Sequence, residues 1–469
     1  MLVRQITDDH LAQNTYLIGC QQTGEAIVID PQRDVERYIE AAAKENLRLV
    51  AATETHVHAD FLSGVRELAQ RVPGIRILLS ADGGPEWQYQ WPAVDGIDAT
   101  LLKDGDTFSI GRIEMRAWHT PGHTPEHMSF VVTDHGGGAS EPMGVASGDF
   151  VFVGDLGRPD LLETAAGVAG NREPSAERLY ESATEFLRLP DFMQVWPGHG
   201  AGSACGKALG AIPTTTVGYE RRFSPAIAEA VRGSKPFVDF ILSGQPEPPL
   251  YFARMKKLNL AGPPVLGGIP SPGRLDARHL VDAAKTAQVI DTRKDRKAFM
   301  AEHVAGAFYA PFDKSFPTVV GSLVDPARPV VLLIDEAEVA AAVRDLIRIG
   351  YDHIAGWSPS DGLAAFLEAG GRTEKIESID FAEFESRRQA GPITVLDVRG
   401  AGEYEARHVP GAMNIPHTRL RAANPVFPSS GPVYVHCAAG VRSAVSAAYL
   451  AAKGVKAVHV DGAFKGWTG

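Results

Sequence analysis

The chain has 469 residues, 44% of them hydrophobic and 22% charged, with a formal net charge of −11 and a pI near 5.8. That length suits roughly three domains, and the acidic balance offers no basic surface for nucleic acid or an anionic membrane. No basic segment followed by an apolar run opens the sequence, and no apolar stretch is long enough to cross a bilayer, so a soluble cytoplasmic protein is expected. The three cysteines, Cys20, Cys205 and Cys437, are too sparse for a disulfide framework and point to a reducing compartment.

The opening reads as short strands, NTYLIG and EAIVID, followed by a helix over Val35 to Lys44. Strand RLVAAT then runs into T-H-V-H-A-D-F-L-S-G, Thr55 to Gly64, ahead of the helical spacing in VRELAQRV. Turns at strand ends are where α/β proteins place ligands, so His56, His58 and Asp60 can be aimed into one crevice. Neutral imidazoles with a carboxylate suit a divalent transition metal better than calcium or magnesium. A polar turn with two surface histidines would be the reading of a lone H-x-H. His123 in T-P-G-H-T-P-E-H and Asp149 in S-G-D-F weigh for the metal.

Further strands follow at IRILLS, RIEMRAWH and HMSFVV. His119, His123 and His127 are four apart, but Pro121, Gly122 and Pro125 exclude a helix. The segment is therefore a loop, and only a histidine projected inward can be a ligand; His127 reads as a packed or hydrogen-bonded loop residue. Asp149 follows V-A-S-G and starts the loop F-V-F-V-G-D-L-G-R-P-D-L, where Asp155 is either a group behind the ligands or a solvated turn carboxylate. A helix near Ser175 to Leu187, the strand MQVW and two helical patterns, YERRFSPAIAEAVRG and YFARMKKLN, complete a half that predicts two sheets covered by helices. Cys20 ends a strand and belongs to the core. Cys205, in G-S-A-C-G-K, is a buried thiol in the simpler reading and a reactive one in the other.

Gly262-PPVLGGIPSPG is a linker, and beyond it the chain repeats itself. VIDTRKDRKAFMAEHVAGAFYAPF from Val289 parallels VLDVRGAGEYEARHVPGAMNIPH from Val395, a repeat of about a hundred residues that implies two copies of one compact domain. Strands alternate with helices, which predicts a parallel sheet in each copy. In the second copy Cys437 ends an apolar strand. The loop Ala438, Ala439, Gly440, Val441, Arg442 and Ser443 can turn several backbone N–H groups inward at a helix start. Such a cradle stabilises a thiolate and then an anionic persulfide.

T-H-V-H-A-D, T-P-G-H-T, S-G-D and P-G-H-G at Pro197 to Gly200 together resemble the metallo-β-lactamase superfamily over about the first half of the chain. Within it, G-D-L-G-R-P-D-L and W-P-G-H-G-A-G-S-A-C-G-K are similar to persulfide dioxygenases. The other similar members are dinuclear hydrolases of glutathione thioesters. Those hydrolases have H-x-H-x-D-H, and here Phe61 stands at the last histidine. The resemblance therefore implies one Fe(II) per chain, held by His56, His123 and Asp149 with open positions, a set associated with oxygen activation. His58 and Asp60 would orient ligands or bound water. His199 matches the outermost ligand of the dinuclear enzymes and is read as structural or substrate-facing. The implied substrates are O2 and glutathione persulfide or a similar thiol persulfide, oxidised to sulfite. Arg158 is the first candidate for contact with the substrate carboxylates, with a structural salt bridge as its other reading; Lys207 and Arg222 are further candidates.

D-V-R at Asp397, H-V-P-G-A at His408 and C-A-A-G-V-R at Cys437 resemble rhodanese sulfurtransferase domains over residues 376–469. By that resemblance Cys437 carries sulfane sulfur, assisted by Arg442, while Asp397, Arg399 and His408 hold the fold. The first copy keeps D-T-R at Asp291 and H-V-A-G-A at His303, but Asp335, Glu338 and Ala340 replace the cysteine, glycine and arginine. A carboxylate cannot carry sulfane sulfur, so this copy is expected to be an inactive spacer. The implied architecture is an αββα sandwich with a helical cap over 1–262, then two rhodanese-like parallel α/β domains over 263–372 and 373–469. Thiosulfate or sulfite would be the exchange partner, and a dimer or tetramer the assembly. Two other functions stay open: a dinuclear zinc hydroxyacylglutathione hydrolase-type thioesterase, and a non-oxidative sulfane-sulfur carrier.

Overall fold

The computed structural model describes residues 1–164, 170–428 and 431–467. The chain forms two compact units, Met1–Ile269 and Pro270–Gly469. The first contains two six-stranded sheets. One runs in sequence order through β1 (Leu2–Asp8), β2 (Gln13–Cys20), β3 (Glu25–Ile29), β4 (Arg48–Thr53), β5 (Arg76–Ser80) and β6 (Ala99–Leu102). The other runs from β7 (Thr107–Ile110) through β8 (Ile113–His119), β9 (Met128–Asp134), β10 (Gly144–Gly148) and β11 (Gln194–Pro197) to β12 (Thr215–Thr216).

Period-two alternation explains how both faces of these strands are buried. Ile18, Ile27, Met115, Phe130 and Val132 point between the sheets, forming the central core with Tyr16 and Trp196. Their neighbours Leu17, Val28 and Ala26 pack outward against Tyr38, Ala42, Val65 and Leu68 of the helices Glu36–Lys44 and Val65–Arg71. Val131, Val145 and Val195 pack outward on the other side, against Leu179, Ala183, Ile227 and Phe237. The result is the expected helix–sheet–sheet–helix layering.

The strand directions place the loops that matter. β8 and β10 are both antiparallel to β9, and β11 is parallel to β10. The loops after β8, β10 and β11 therefore leave the second sheet at the same end.

The region after residue 216 has more helices than its two periodic patterns suggest: Val217–Phe223, Pro225–Arg232, Ser234–Leu242 and Phe252–Ala261. Ser224 accepts from the Ile227 N–H and Pro225 follows it, so a new helix starts where the periodicity appeared continuous. The Pro/Gly stretch after Gly262 is docked on the first unit. Leu266 and Gly267 donate N–H bonds to Glu67, and Arg66 donates to the Gly262 and Pro263 carbonyls.

The second unit holds two parallel sheets. One has β13 (Gln288–Asp291), β15 (Phe308–Tyr309), β16 (Val330–Leu333) and β17 (Ile354–Ser358) in the order β15-β13-β16-β17. The other has β19 (Glu377–Asp380), β20 (Thr394–Asp397), β21 (Met413–Asn414), β22 (Val433–His436) and β23 (Ala457–Asp461) in the order β19-β23-β22-β20-β21. Apart from the added β19, the two orders match. β14 (His303–Val304) and β18 (Thr373–Glu374) form an antiparallel ribbon. Among the described residues no helix is long and apolar enough to cross a membrane.

Candidate functional site

The turn after β4 is shaped by a residue that sequence reasoning passed over. Asp30 ends the EAIVID run with φ +56°, a left-handed conformation that aspartate tolerates. Because β3 and β4 are parallel neighbours, its carboxylate reaches the adjacent turn. It accepts the Thr55 N–H at 2.6 Å and the Thr55 hydroxyl at 2.9 Å, and lies 3.1 Å from His58 Nε2. From the other side, Asn259 of helix Phe252–Ala261 donates to the His58 and Phe61 carbonyls and accepts from the Ser63 N–H. The available signal was a carboxylate closing an apolar strand one position from the histidine-bearing strand.

Held this way, His56 faces the loops of the second sheet. His56 Nε2 stands 3.9 Å and His123 Nε2 3.5 Å from Oδ2 of Asp149, all three side chains being buried. Each remaining ligand atom is tied behind: His56 Nδ1 to Thr55 Oγ1 at 2.9 Å, and His123 Nδ1 to the Arg158 carbonyl at 3.1 Å. Asp149 Oδ1 is bonded to His199 Nδ1 at 2.7 Å, while its Oδ2 has no hydrogen-bond partner. Gly198 permits this approach, since a Cβ there would lie 2.7 Å from Asp149 Oδ1. A buried anionic oxygen without a donor, opposite two imidazole nitrogens, is what a divalent cation fits.

The charge states agree. Burial, with the surrounding His58, His123, His127 and His199, pushes His56 well below the ordinary imidazole range, and burial likewise lowers His123. Burial opposes ionisation of Asp149, but His199, with His123 and His58, together outweigh it and keep the carboxyl below its usual range. Two neutral imidazoles and one carboxylate result.

His58 and Asp60 stand beside this trio. Burial alone would lower His58, but the Asp30 carboxylate carries it up to about 9, helped by Glu54 and Asp60. Phe61 is buried and stacks on the His58 ring with centroids 4.2 Å apart, filling the place of the absent histidine. Asp60 Oδ2 bonds His199 Nε2 at 2.8 Å. His199 thus bridges two carboxylates, and Asp149 and Asp60 lift it well above its ordinary range against the effect of burial.

One grouping was missed. Asp60, His199 and Cys205 offer ligand atoms within 4.8 Å of one another, so Cys205 supplies a third donor where Phe61 removes one. Burial pushes the Cys205 thiol up to about 12, only partly offset by His199. His127, by contrast, is a hydrogen-bonded loop residue: it accepts the Asp149 N–H at 3.1 Å and pairs with Thr120 Oγ1 at 2.8 Å.

The cationic candidates are not gathered at the trio. Arg158 is buried, with a bidentate pair to Asp160 at 2.9 and 2.7 Å and a bond to the Ala204 carbonyl. Those bonds hold its loop. Lys207 donates to the Phe240 and Ser243 carbonyls and lies over the Phe240 ring. Arg222 is exposed on helix Val217–Phe223. Asp155 is nearly buried and accepts the N–H groups of Leu156, Lys207 and Ala208, so it ties that loop to the chain around Cys205.

In the second unit, Cys437 is buried at the end of β22. The Gly440 N–H reaches its Sγ at 3.2 Å and Ser443 Oγ lies 3.4 Å away. Gly440 has φ +88° and caps helix Val441–Ala452, so the loop closes back over the sulfur. Arg442 forms a bidentate pair with Glu403 at 2.6 and 2.9 Å, and Val441 is exposed at the rim. Ala438 and Ala439 are the small residues that keep the loop tight, the Ala438 carbonyl accepting the Phe464 N–H.

Comparison with known proteins places each region in a family. Residues 8–199 match the metallo-β-lactamase superfamily and residues 380–469 the rhodanese-like domain. Persulfide dioxygenase ETHE1 of Bos taurus is 30% identical over 201 residues, 42% of this chain and 68% of that protein. Hydroxyacylglutathione hydrolase of Tolumonas auensis is 31% identical over 189 residues, 40% of this chain and 62% of that protein. The crystal structure of a metallo-β-lactamase from Staphylococcus aureus superposes with a TM-score of 0.69 at 40% identity, covering 76% of this chain and 99% of that one. The chain belongs to the metallo-β-lactamase superfamily and carries a rhodanese-like domain at its C-terminal end.

Proposed function

We propose that the protein is an iron-dependent persulfide dioxygenase coupled to a sulfurtransferase. The observation that carries this reading is the His56–His123–Asp149 trio with a free Asp149 Oδ2 and Phe61 beside it, in a region 30% identical over 201 residues to a persulfide dioxygenase. Two imidazoles and one carboxylate suit Fe(II), which His56, His123 and Asp149 would hold and which would supply the redox chemistry for oxidising sulfur with O2. The overall conversion is R–S–S⁻ + O2 + H2O → R–SH + SO3²⁻ + H⁺.

The chain's own residues prepare that chemistry. Thr55 and the Arg158 carbonyl fix the tautomers of His56 and His123 so that both Nε2 atoms face Asp149. His199, protonated between Asp60 and Asp149, holds one carboxylate oxygen and leaves the other free. Phe61 stacks on the His58 ring and walls off one side. Cys437 would exchange sulfane sulfur as Cys–S⁻ + S2O3²⁻ → Cys–S–S⁻ + SO3²⁻, then pass it to a thiol, or run in the opposite direction. The module carrying Asp335 is read as an inactive rhodanese-like copy, which gives three modules over 1–262, 263–372 and 373–469.

The grouping of Asp60, His199 and Cys205 favours a second reading, a dinuclear hydrolase like hydroxyacylglutathione hydrolase. Against it, a metal there would have to displace the bond between His199 and Asp60. Oxygen uptake by iron-loaded protein supplied with glutathione persulfide decides between them. Uptake with sulfite or thiosulfate as product is expected. No uptake, with thioester hydrolysis instead, overturns the proposal.

A further inference from the structure

The Asp335-bearing module reaches the sulfur-carrier loop through Arg296. Helix Arg296–Ala301 starts beside Asp295, which accepts the Lys297 and Ala298 N–H groups and fixes the first turn. From that turn Arg296 reaches across to β23 of the other sheet. Its Nε and Nη2 donate to Asp461 Oδ1 at 3.0 and 2.9 Å. The same oxygen accepts the Gly462 N–H at 2.9 Å.

This pair lies against Gly440. A Cβ placed on Gly440 would collide with Asp461 Oδ1 and stand 3.3 Å from both Arg296 Nε and Nη2. Gly440 is the residue whose N–H reaches the Cys437 sulfur. Its carbonyl is held as well, by His459 Nε2 at 2.9 Å and Ser443 Oγ at 3.1 Å. We propose that Arg296 is a positioning residue for sulfur transfer: with Asp461 it forms the support under Gly440 and cancels a carboxylate charge beside a loop built to hold anionic sulfur. The Asp335-bearing module is then a working part of the neighbouring site. The inference rests on reading Cys437 as the sulfur carrier.

Two physical considerations carry it. An ion pair with two charge-assisted bonds on one oxygen restrains both partners more than a single neutral bond does. Without Arg296, the Asp461 carboxylate would face the loop uncompensated and repel thiosulfate or a persulfide anion. The surrounding interface does not depend on this residue. Phe308 packs near Tyr449, and Arg421 bonds the Val324 carbonyl and Asp325, so removing Arg296 leaves the two sheets joined.

The test uses the full-length protein and thiosulfate as sulfur donor, reading kcat and KM for sulfur loading of Cys437. Arg296→Ala is expected to lower kcat/KM by about tenfold, mainly through KM. Adding Asp461→Asn to it removes the stranded charge and is expected to restore loading to within about threefold of the natural protein. Arg296→Lys keeps the charge, covers the case in which the alanine variant does not fold, and is expected to fall between the two. Unchanged kinetics in Arg296→Ala, or a double variant no better than the single one, overturns the proposal. A protein whose natural form loads no sulfur refutes the sulfurtransferase reading instead. The alkylation rate of Cys437 by iodoacetamide still reports the Arg296 effect in that case.

Discussion

The two parallel sheets of the second unit are built alike and differ in the residues that follow their matching strands β16 and β22. In one, Arg293 makes a bidentate pair with Asp291 and donates to the Glu302 carbonyl; in the other, Arg399 pairs with Asp397 and donates to the Arg407 carbonyl. His303 stacks on Phe299 and bonds its carbonyl, as His408 stacks on Tyr404 and bonds its carbonyl. These motifs hold strands and loops in both copies, so their presence says nothing about catalysis. The difference begins after β16 and β22. Asp335 accepts the Ser360 hydroxyl and Glu338 pairs with Lys294, while Cys437 sits under the Gly440 N–H.

That contrast can be broken in several ways. The largest expected effect is loss of all sulfur loading in Cys437→Ser with oxygen uptake retained, measured by cyanolysis and an oxygen electrode. Asp335→Cys is expected to gain none, because it lacks the glycine and arginine. Next, Asp397→Ala strands the buried Arg399 and is expected to cost about 3–5 kcal/mol in chemical denaturation; Asp291→Ala, whose arginine is more exposed, is expected to cost less.

A pH effect should separate the sheets further. His436, one residue before Cys437, corresponds to the buried Ile334. Burial lowers His436 from 6.5 to about 4. The unfolded chain therefore takes up a proton first as pH falls, so stability present above pH 6.5 is lost between there and about 4. The loss is on the order of 3 kcal/mol. His436→Ile should flatten this acid limb in denaturation midpoints measured across that window. The smallest effect is expected for Lys294→Ala, since its pair with Glu338 is exposed and such pairs contribute about 0–1 kcal/mol.

Much of this was legible in the sequence because it is local. T-H-V-H-A-D, the Pro/Gly interruption around His123 and the spacing after Cys437 each declare a turn at a strand end. The repeat from Val289 and Val395 falls on two sheets whose strand orders match apart from β19. What was not legible depends on contacts between distant residues. Asp30 acts through a parallel strand pair, Asn259 through a helix about two hundred positions away in sequence, and Cys205 through a loop brought beside His199. Arg158 illustrates the reverse case: a basic residue in a promising motif is engaged by Asp160, two positions on. The half-exposed β6 and β7 carry too weak an alternation to declare themselves.

The central claim concerns one metal and one reaction, and both can be read in a single titration. Apoprotein is loaded with Fe(II) in steps, and oxygen uptake on glutathione persulfide is recorded at each step. The account predicts activity rising linearly to a plateau at one iron per chain, with sulfur loading of Cys437 unaffected throughout. A plateau only at two metals per chain, or full loading with no oxygen consumed, would contradict it.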